Sequence, residues 1–336
     1  MSLTKKLLAA SLILADTATA NAATTPHYGS MATATPGLDA SLNGSIPFPA
    51  AEAWNVDISK KPADPRSAAI IKSIGLDVGL HPDFGSGTYA GSIIGIPYFV
   101  VPAAQKFVAI HYNRQGYPDE SDKGPYPVPP NARIEGYKPS GASFDGDRHV
   151  LVIDKGNNRL YELYNASKRA DDSWDCDSSA IFHLDSLKVR PTQKPGWTSA
   201  DAAGLPIFPG LVRYDEAVTA GIIRHAIRMT VAQTREAYVP PANHYASDDT
   251  SPNLPPMGAR IRLKASYKIP ASFSPETKAI LTALKTYGLF VADNGSNWYL
   301  SGAPDPRWNN DHLVGELSQV KGSNFEVVKM VGIVTP

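Results

Sequence analysis

The residues best placed to do chemistry lie in the stretch 196–229, GWTSADAAGLPIFPGLVRYDEAVTAGIIRHAIRM. Asp215 and Glu216 directly follow an apolar run, and His225 sits inside another. Acids in such a setting suggest glycoside hydrolysis, which needs two carboxylates across the scissile bond, one of them kept protonated. On an extended strand neighbouring side chains point to opposite faces, so only one of Asp215 and Glu216 can face a given cleft. The partner must come from elsewhere, and Glu162, Asp293 and Asp305 are the candidates. The plainer alternative makes either acid a surface turn or helix-start carboxylate.

If residues 222–231 form a strand, His225 shares a face with Ile223, Ile227 and Met229, and Arg224 and Arg228 share the other. That is the company of a histidine held in a core or lining a cleft. Its titration range suits it to acid–base work, and the face shared by Arg224 and Arg228 suits a carboxylate or an acidic sugar. A histidine or tyrosine base with arginine neutralisation describes a uronate lyase, for which Tyr161, Tyr164 and Tyr214 are further candidates. His149 and His244 carry the same ambiguity, and together with His225 they are the raw material for a metal-dependent hydrolase.

A second rich stretch runs from residue 293 to 308, DNGSNWYLSGAPDPRW. Trp298 and Trp308 offer rings to stack on sugar faces, while Asn297 and Asp305 offer hydrogen bonds to hydroxyls, with Arg224 as a fifth substrate-binding candidate. The alternative is a structural loop whose Asn and Asp satisfy turns over packed tryptophans. Asp171, Asp172, Asp175 and Asp177, and separately Asp305, Asn309, Asn310 and Asp311, are oxygen clusters suited to a structural Ca²⁺, although neither has the EF-hand spacing. No cofactor and no catalytic metal are expected. The chain carries no G-x-S-x-G elbow, P-loop, dinucleotide glycine turn or H-E-x-x-H helix.

The elements that must position these groups read mainly as strands. Runs at 98–102, 107–112, 180–184, 222–231 and 259–265 are β-rich. Residues 149–154 and 159–164 flank Lys155-Gly156-Asn157-Asn158, a strong hairpin signal. Alternation in the second arm puts Leu160, Glu162 and Tyr164 on one face and Arg159, Tyr161 and Leu163 on the other. A short helix is expected from Asp64-Pro65 to Gly75. A clearer one starts at Ser274 with Pro275 at its first position, carries Ile280, Leu281, Leu284 and Tyr287, and closes at Gly288. Residues 289–292 and 298–300 then read as strands around the 293–297 turn. The economical architecture is a mostly β, single-domain sandwich of jelly-roll type with a few short helices, one near the C-terminus.

Composition bounds the partners. The chain has 32 basic and 32 acidic residues, so no general field draws it to nucleic acid or an anionic membrane. The 29 prolines and 26 glycines suit many short strands and shaped loops. Cys176 is alone, so an intrachain disulfide is impossible, and its acidic neighbours argue against a reactive thiolate. Lys5 and Lys6, the apolar residues 7–15 and Ala20-Asn21-Ala22 read as an export signal cleaved near Ala22. Asp16 interrupts that run, and no segment is long and apolar enough to span a bilayer. The expected organisation is a signal peptide at 1–22, a flexible lead-in at 23–45 and one globular domain at 46–336, exported and monomeric.

The blocks GWTSADAAGLP at 196–206, ADNGSNWYLSGAPDPRW at 292–308, DRHVLVID at 147–154 and PPMGAR at 255–260 resemble those of a family of secreted bacterial proteins of uncharacterised activity. The resemblance spans about 46–328. It implies one secreted domain and brings no activity or catalytic residue with it. The residues themselves point to a polysaccharide-active enzyme, a glycoside hydrolase with Asp215 or Glu216 paired to Glu162 or Asp293. The rival readings are a carbohydrate-binding or cell-envelope protein without catalysis, and a lyase using His225 or His149 with Arg224.

Overall fold

The computed structural model describes residues 25–140 and 146–336; the expected export signal lies outside them. Its strands group into two principal sheets. One has five strands in the order Ser178–His183, Arg159–Tyr164, Val150–Asp154, Tyr98–Val101 and Gly37–Leu38. The other has six, in the order Phe325–Val327, Arg260–Leu263, Leu289–Asn294, Ile227–Val231, Tyr299–Ser301 and His81–Asp83. The fold is β-rich with few helices, as the strand spacing predicts.

Three pairings within these sheets are parallel: Tyr98–Val101 with Val150–Asp154, Ile227–Val231 with Leu289–Asn294, and Tyr299–Ser301 with His81–Asp83. A jelly roll is built from antiparallel strands, so these pairs depart from the expected connectivity. Parallel neighbours need a crossover. Between Ile227–Val231 and Leu289–Asn294 the crossover contains the helix Pro275–Thr286.

The 150–164 hairpin forms in the expected register, with Arg159 opposite Asp154. The Asp154 carboxylate accepts from the backbone N–H of Gly156 and Asn157, and Asn158 takes the left-handed conformation that closes the turn. Alternation in the second arm then divides two cores. Leu160 joins Tyr98, Leu151, Ile227, Leu289 and Phe325 in a large cluster shared by both principal sheets. Tyr161 and Leu163 face a smaller cluster with Tyr126, Val128, Ile134 and Trp174. The five-stranded sheet is therefore buried on both faces, which explains why its hairpin arms are so apolar.

The C-terminal helix forms as expected over Pro275–Thr286, with the Ser274 hydroxyl accepting from the Thr277 N–H and Gly288 at φ 71° just beyond its end. The earlier helix starts later than expected, at Ser67–Ile74. Asp64 and Pro65 instead form the turn before it, in which Asp64 Oδ1 accepts from the Arg66 N–H. The strand expected over 222–231 is confined to Ile227–Val231.

The lead-in is a correction. From residue 25 it is integrated into the fold, with His27–Tyr28 paired to Ser45–Ile46 and Gly37–Leu38 on the edge of the five-stranded sheet. Met31, Ala34 and Leu42 lie in the large core. The Met31 N–H donates to the hairpin residue Asn158. A low-complexity composition hid three apolar anchors spaced along an otherwise small-residue run.

Candidate functional site

Two polar clusters emerge, and they divide the expected catalytic residues between them. The first lies on the turn Asp215–Thr219, which is a wide helical turn and not the end of a strand. Asp215 and Glu216 therefore diverge for a different reason from strand alternation. Asp215 Oδ2 accepts from the Ser41 hydroxyl at 2.9 Å and the Leu42 N–H at 2.7 Å, so it clamps the lead-in. Glu216 receives Arg213 Nη2 at 2.6 Å and His225 Nε2 at 3.0 Å. Burial pushes the Glu216 carboxyl up, but Arg213 and His225 outweigh it and hold the group low. His225 Nδ1 donates to the Ala226 carbonyl at 2.7 Å. Arg224 shares a small hollow of about 170 Å³ with Arg213, Asp215 and Glu216. The structure thus brings Asp215, Glu216, His225 and Arg224 together, but the acids and the histidine are engaged by the protein itself. That is the chemistry of a structural knot.

Glu162 belongs to neither cluster. It is fully buried, and its carboxylate accepts from the Ile207 and Phe208 N–H groups at 2.9–3.0 Å. Burial raises it to about 7 despite those bonds. Its role is to fix the 207–208 turn, and it has no path to a substrate.

The tryptophans are a second correction. Trp298 is fully buried, donates from Nε1 to the Gly75 carbonyl at 3.0 Å and packs on Phe325. Trp308 is 3% exposed, donates to the Ala303 carbonyl and packs edge-on against Phe84 and Tyr214. Neither ring offers a face to a sugar. Asn297 accepts from the Ala232 N–H, and Asp305 is bound through both oxygens to Arg307. These are the turn-satisfying roles of the plainer alternative.

The oxygen clusters also disperse. Asp171 accepts from Ser173, Asp172 pairs with Lys168, Asp175 with Arg169, and Asp177 receives Asn113 and Asn165. Asn309 caps the helix Asn310–Leu317, and Asn310 binds Ser86. Cys176 is buried, and burial followed by the neighbouring Asp177 and Asp175 pushes its thiol up to about 12, which leaves it inert.

The second polar cluster surrounds a cleft of about 180 Å³ that receives residues from both principal sheets. From the five-stranded side come Asp147, Tyr164 and Ser178; from the six-stranded side, Asp293 and Asn294. Asp201 and His244 come from loops, and Tyr117, 47% exposed, presents an accessible ring. No lysine or arginine lines the cleft among the described residues.

Behind it stands Arg228. Its Nε and Nη2 reach Asp201 Oδ1 at 2.8 and 2.7 Å, Nη2 reaches Asp293 Oδ2 at 2.9 Å, and Nη1 donates to the Ser301 hydroxyl. One guanidinium thus serves two carboxylates, and full ionisation leaves one negative charge uncompensated in a buried place. Burial raises Asp201 to about 6 against the pull of Arg228, and it raises Asp293 in the same way. This is an arrangement in which the two carboxylates hold a shared proton to higher pH than free carboxylates do.

Beside the cleft, Glu135, Asp147 and His149 place ligand-capable atoms within 4.8 Å of one another. The donor set does not fit a metal. His149 Nδ1 meets Glu135 Oε2 at 2.5 Å, and Nε2 meets the Ala200 carbonyl at 2.9 Å. A carbonyl can only accept, so Nε2 carries a proton. Burial alone would depress the ring, yet the Glu135 carboxylate overrides this and raises it to about 9. An imidazolium donating from both nitrogens has no lone pair for a cation. The three-histidine grouping does not assemble either, because His225 is held in the Glu216 knot while His244 Nδ1 bonds the Ala202 carbonyl in the cleft.

Of the carboxylates expected to be catalytic, then, only Asp293 lines this cleft, joined there by Tyr164 and His244 from the lyase and metal readings. Spacing and residue type do not single out Asp147, Asp201 or Tyr117, whereas Arg228 stands on the face expected to meet a carboxylate, and the carboxylates it meets are the protein's own Asp201 and Asp293. Asp147 and Asp201 do stand inside two of the distinctive blocks, and that was the available signal. Comparison with protein-family models, curated proteins and solved structures gives no match.

Proposed function

We propose that the chain is an exported glycan-active enzyme, a glycoside hydrolase working at the Asp147–Asp293 cleft. The observation that carries this reading is that two carboxylates, Asp293 on a strand of the six-stranded sheet and Asp147 on the loop before Val150–Asp154, reach one cleft in unlike environments. Asp293, half-buried against an overcommitted Arg228, is the group suited to hold a proton as general acid. Asp147 is exposed and is the carboxylate free to act as base or nucleophile. Tyr117 and Tyr164 supply the aromatic surface that Trp298 and Trp308 do not. The acidic lining favours neutral glycans over uronates, and Arg224 lies in the other hollow, so the lyase variant has less support. The core shared by the two sheets supports a sandwich-type arrangement, and the reading of residues 1–22 as a signal supports action outside the cytoplasm.

One observation favours a binding protein without catalysis: Asp293 is tied directly to Arg228, which restrains it as a proton donor. The two readings separate on a panel of neutral and uronic polysaccharides assayed for new reducing ends and for ultraviolet-absorbing unsaturated products. Reducing ends without ultraviolet absorption support the hydrolase. Retardation in a polysaccharide affinity gel without cleavage would hand the cleft to the binding reading, and unsaturated products would restore the lyase.

A further inference from the structure

A separate cavity of about 380 Å³ opens between residues 51–61, the 239–241 turn and the stretch 328–331. Its volume lies within the range of small-molecule sites. The wall is mostly apolar, with Ala53, Val56, Ile58, Phe290, Val328 and Met330. Arg260 belongs to the same wall. Its guanidinium lies over the Phe290 ring at 4.1 Å. Nε donates to the Tyr287 carbonyl at 2.6 Å and Nη1 to the Ala53 carbonyl at 2.7 Å. Nη2 is buried and has no hydrogen-bond partner.

This arginine, half-buried as a residue but with Nη2 enclosed, differs from the buried arginines elsewhere in the chain. Arg228, Arg213 and Arg262 each meet a carboxylate within ion-pair distance, whereas Arg260 has no such pair among the described residues. Burial lowers it to about 9, with Glu52 offsetting part of the fall, so it remains a cation at neutral pH. Glu52 is itself turned to the Trp54 N–H at 2.7 Å. A buried charge without a partner, and a buried donor without an acceptor, are both costly. Lys61 and Lys329 also line the cavity, both exposed, and no acid does among the described residues. Charge and shape therefore ask for one kind of occupant, an acceptor anion carried on an apolar body.

We propose that this cavity binds the carboxylate of a small amphipathic acid. The carboxylate pairs with the Arg260 guanidinium at the cavity wall, within reach of Lys61 and Lys329, and the hydrocarbon lies against Phe290, Val56 and Val328. The site is independent of the Asp147–Asp293 cleft and of the glycan reading.

Isothermal titration of the full chain with decanoate, below its micelle threshold, tests this against decanol as the neutral isostere. Decanoate is expected to bind with a Kd below about 1 mM, and decanol about tenfold more weakly. Val56→Trp, which fills the cavity and leaves Arg260 in place, should abolish binding. Lys61→Glu with Lys329→Glu, both on the surface, should weaken decanoate at least about threefold and leave decanol unchanged, as expected for screened rim charges. Arg260→Gln should cost about tenfold or more, with its unfolding temperature recorded alongside. If that variant does not fold, the other two variants decide. No decanoate binding at millimolar concentration, equal affinity for decanol, or unchanged binding in the Val56→Trp variant would each overturn the proposal.

Discussion

Asp293 Oδ2 lies 2.9 Å from Arg228 Nη2, and that one contact joins the wall of the cleft to its buried support. Because Arg228 also holds Asp201, each carboxylate feels the other through a shared cation. The cleft's acid–base behaviour is therefore a property of the trio and not of Asp293 alone.

Neutralising Asp201 should consequently act on Asp293. In Asp201→Asn, Arg228 has one carboxylate left to neutralise, so the Asp293 pKa should fall. Carbon-13 titration of the Asp293 carboxyl reads this without reference to activity. If Asp293 is the general acid, the basic limb of the pH–rate profile should move to lower pH by the same amount. An unmoved Asp293 titration would break the proposed coupling.

Removing the cation should cost stability. Arg228→Met leaves the buried Asp201 and the half-buried Asp293 without their partner, and breaking a buried pair this way typically costs about 3–5 kcal/mol. Urea unfolding gives the value. A loss below about 1 kcal/mol would mean the trio is far better hydrated than its burial implies.

For catalysis, Asp293→Asn and Asp147→Asn should each lower glycan cleavage by about 10²–10⁴, the usual contribution of acid–base groups. Glu216→Gln should act mainly on stability, by loosening Arg213 and His225. Full activity in both aspartate variants would remove the cleft from consideration.

The stability–pH curve should lean to the acid side. Glu162 and Asp201 are raised by burial to about 7 and about 6. Between the ordinary carboxylate range and those values the folded state binds more protons than the unfolded one, so stability falls as pH rises. His149 adds in the same direction. Its folded value of about 9 lies above the ordinary 6.5, so its contribution is complete below 6.5 and is lost as pH rises through 9. Thermal unfolding should give a higher Tm near pH 5 than near pH 9, with a shallower slope in Glu162→Gln. A Tm that rises across this window would contradict the assignment.

His149 can also be read directly. Imidazole proton or nitrogen shifts should titrate near pH 9 in the native chain and drop by at least about one unit in Glu135→Gln, where burial is no longer opposed by a carboxylate. A native midpoint near 6.5 would mean the 2.5 Å contact does not carry the charge assigned to it.

Local chemistry was largely legible in the residues themselves. The Lys155-Gly156-Asn157-Asn158 turn, the Ser274 cap, Gly288 beyond the helix end and the two faces of residues 159–164 all follow from dihedral preference, capping and strand alternation, which act over a few residues. Burial of Trp298 and Trp308 could not be read this way, because a tryptophan beside Asn and Asp looks the same whether it lies over a sugar or over Phe325. The same holds for Glu162, whose partners at 207 and 208 are 45 and 46 residues away in sequence.

What the sequence by itself determined was a β-rich chain of balanced charge, with one inert cysteine and its apolar residues in the right periods. Tertiary structure alone decided which acids meet. Parallel pairing of Ile227–Val231 with Leu289–Asn294 sets Arg228 and Asp293 on neighbouring strands, and the loop carrying Asp201 completes the trio. Charge interactions depend on distance and burial in space, and neither is encoded in spacing along the chain.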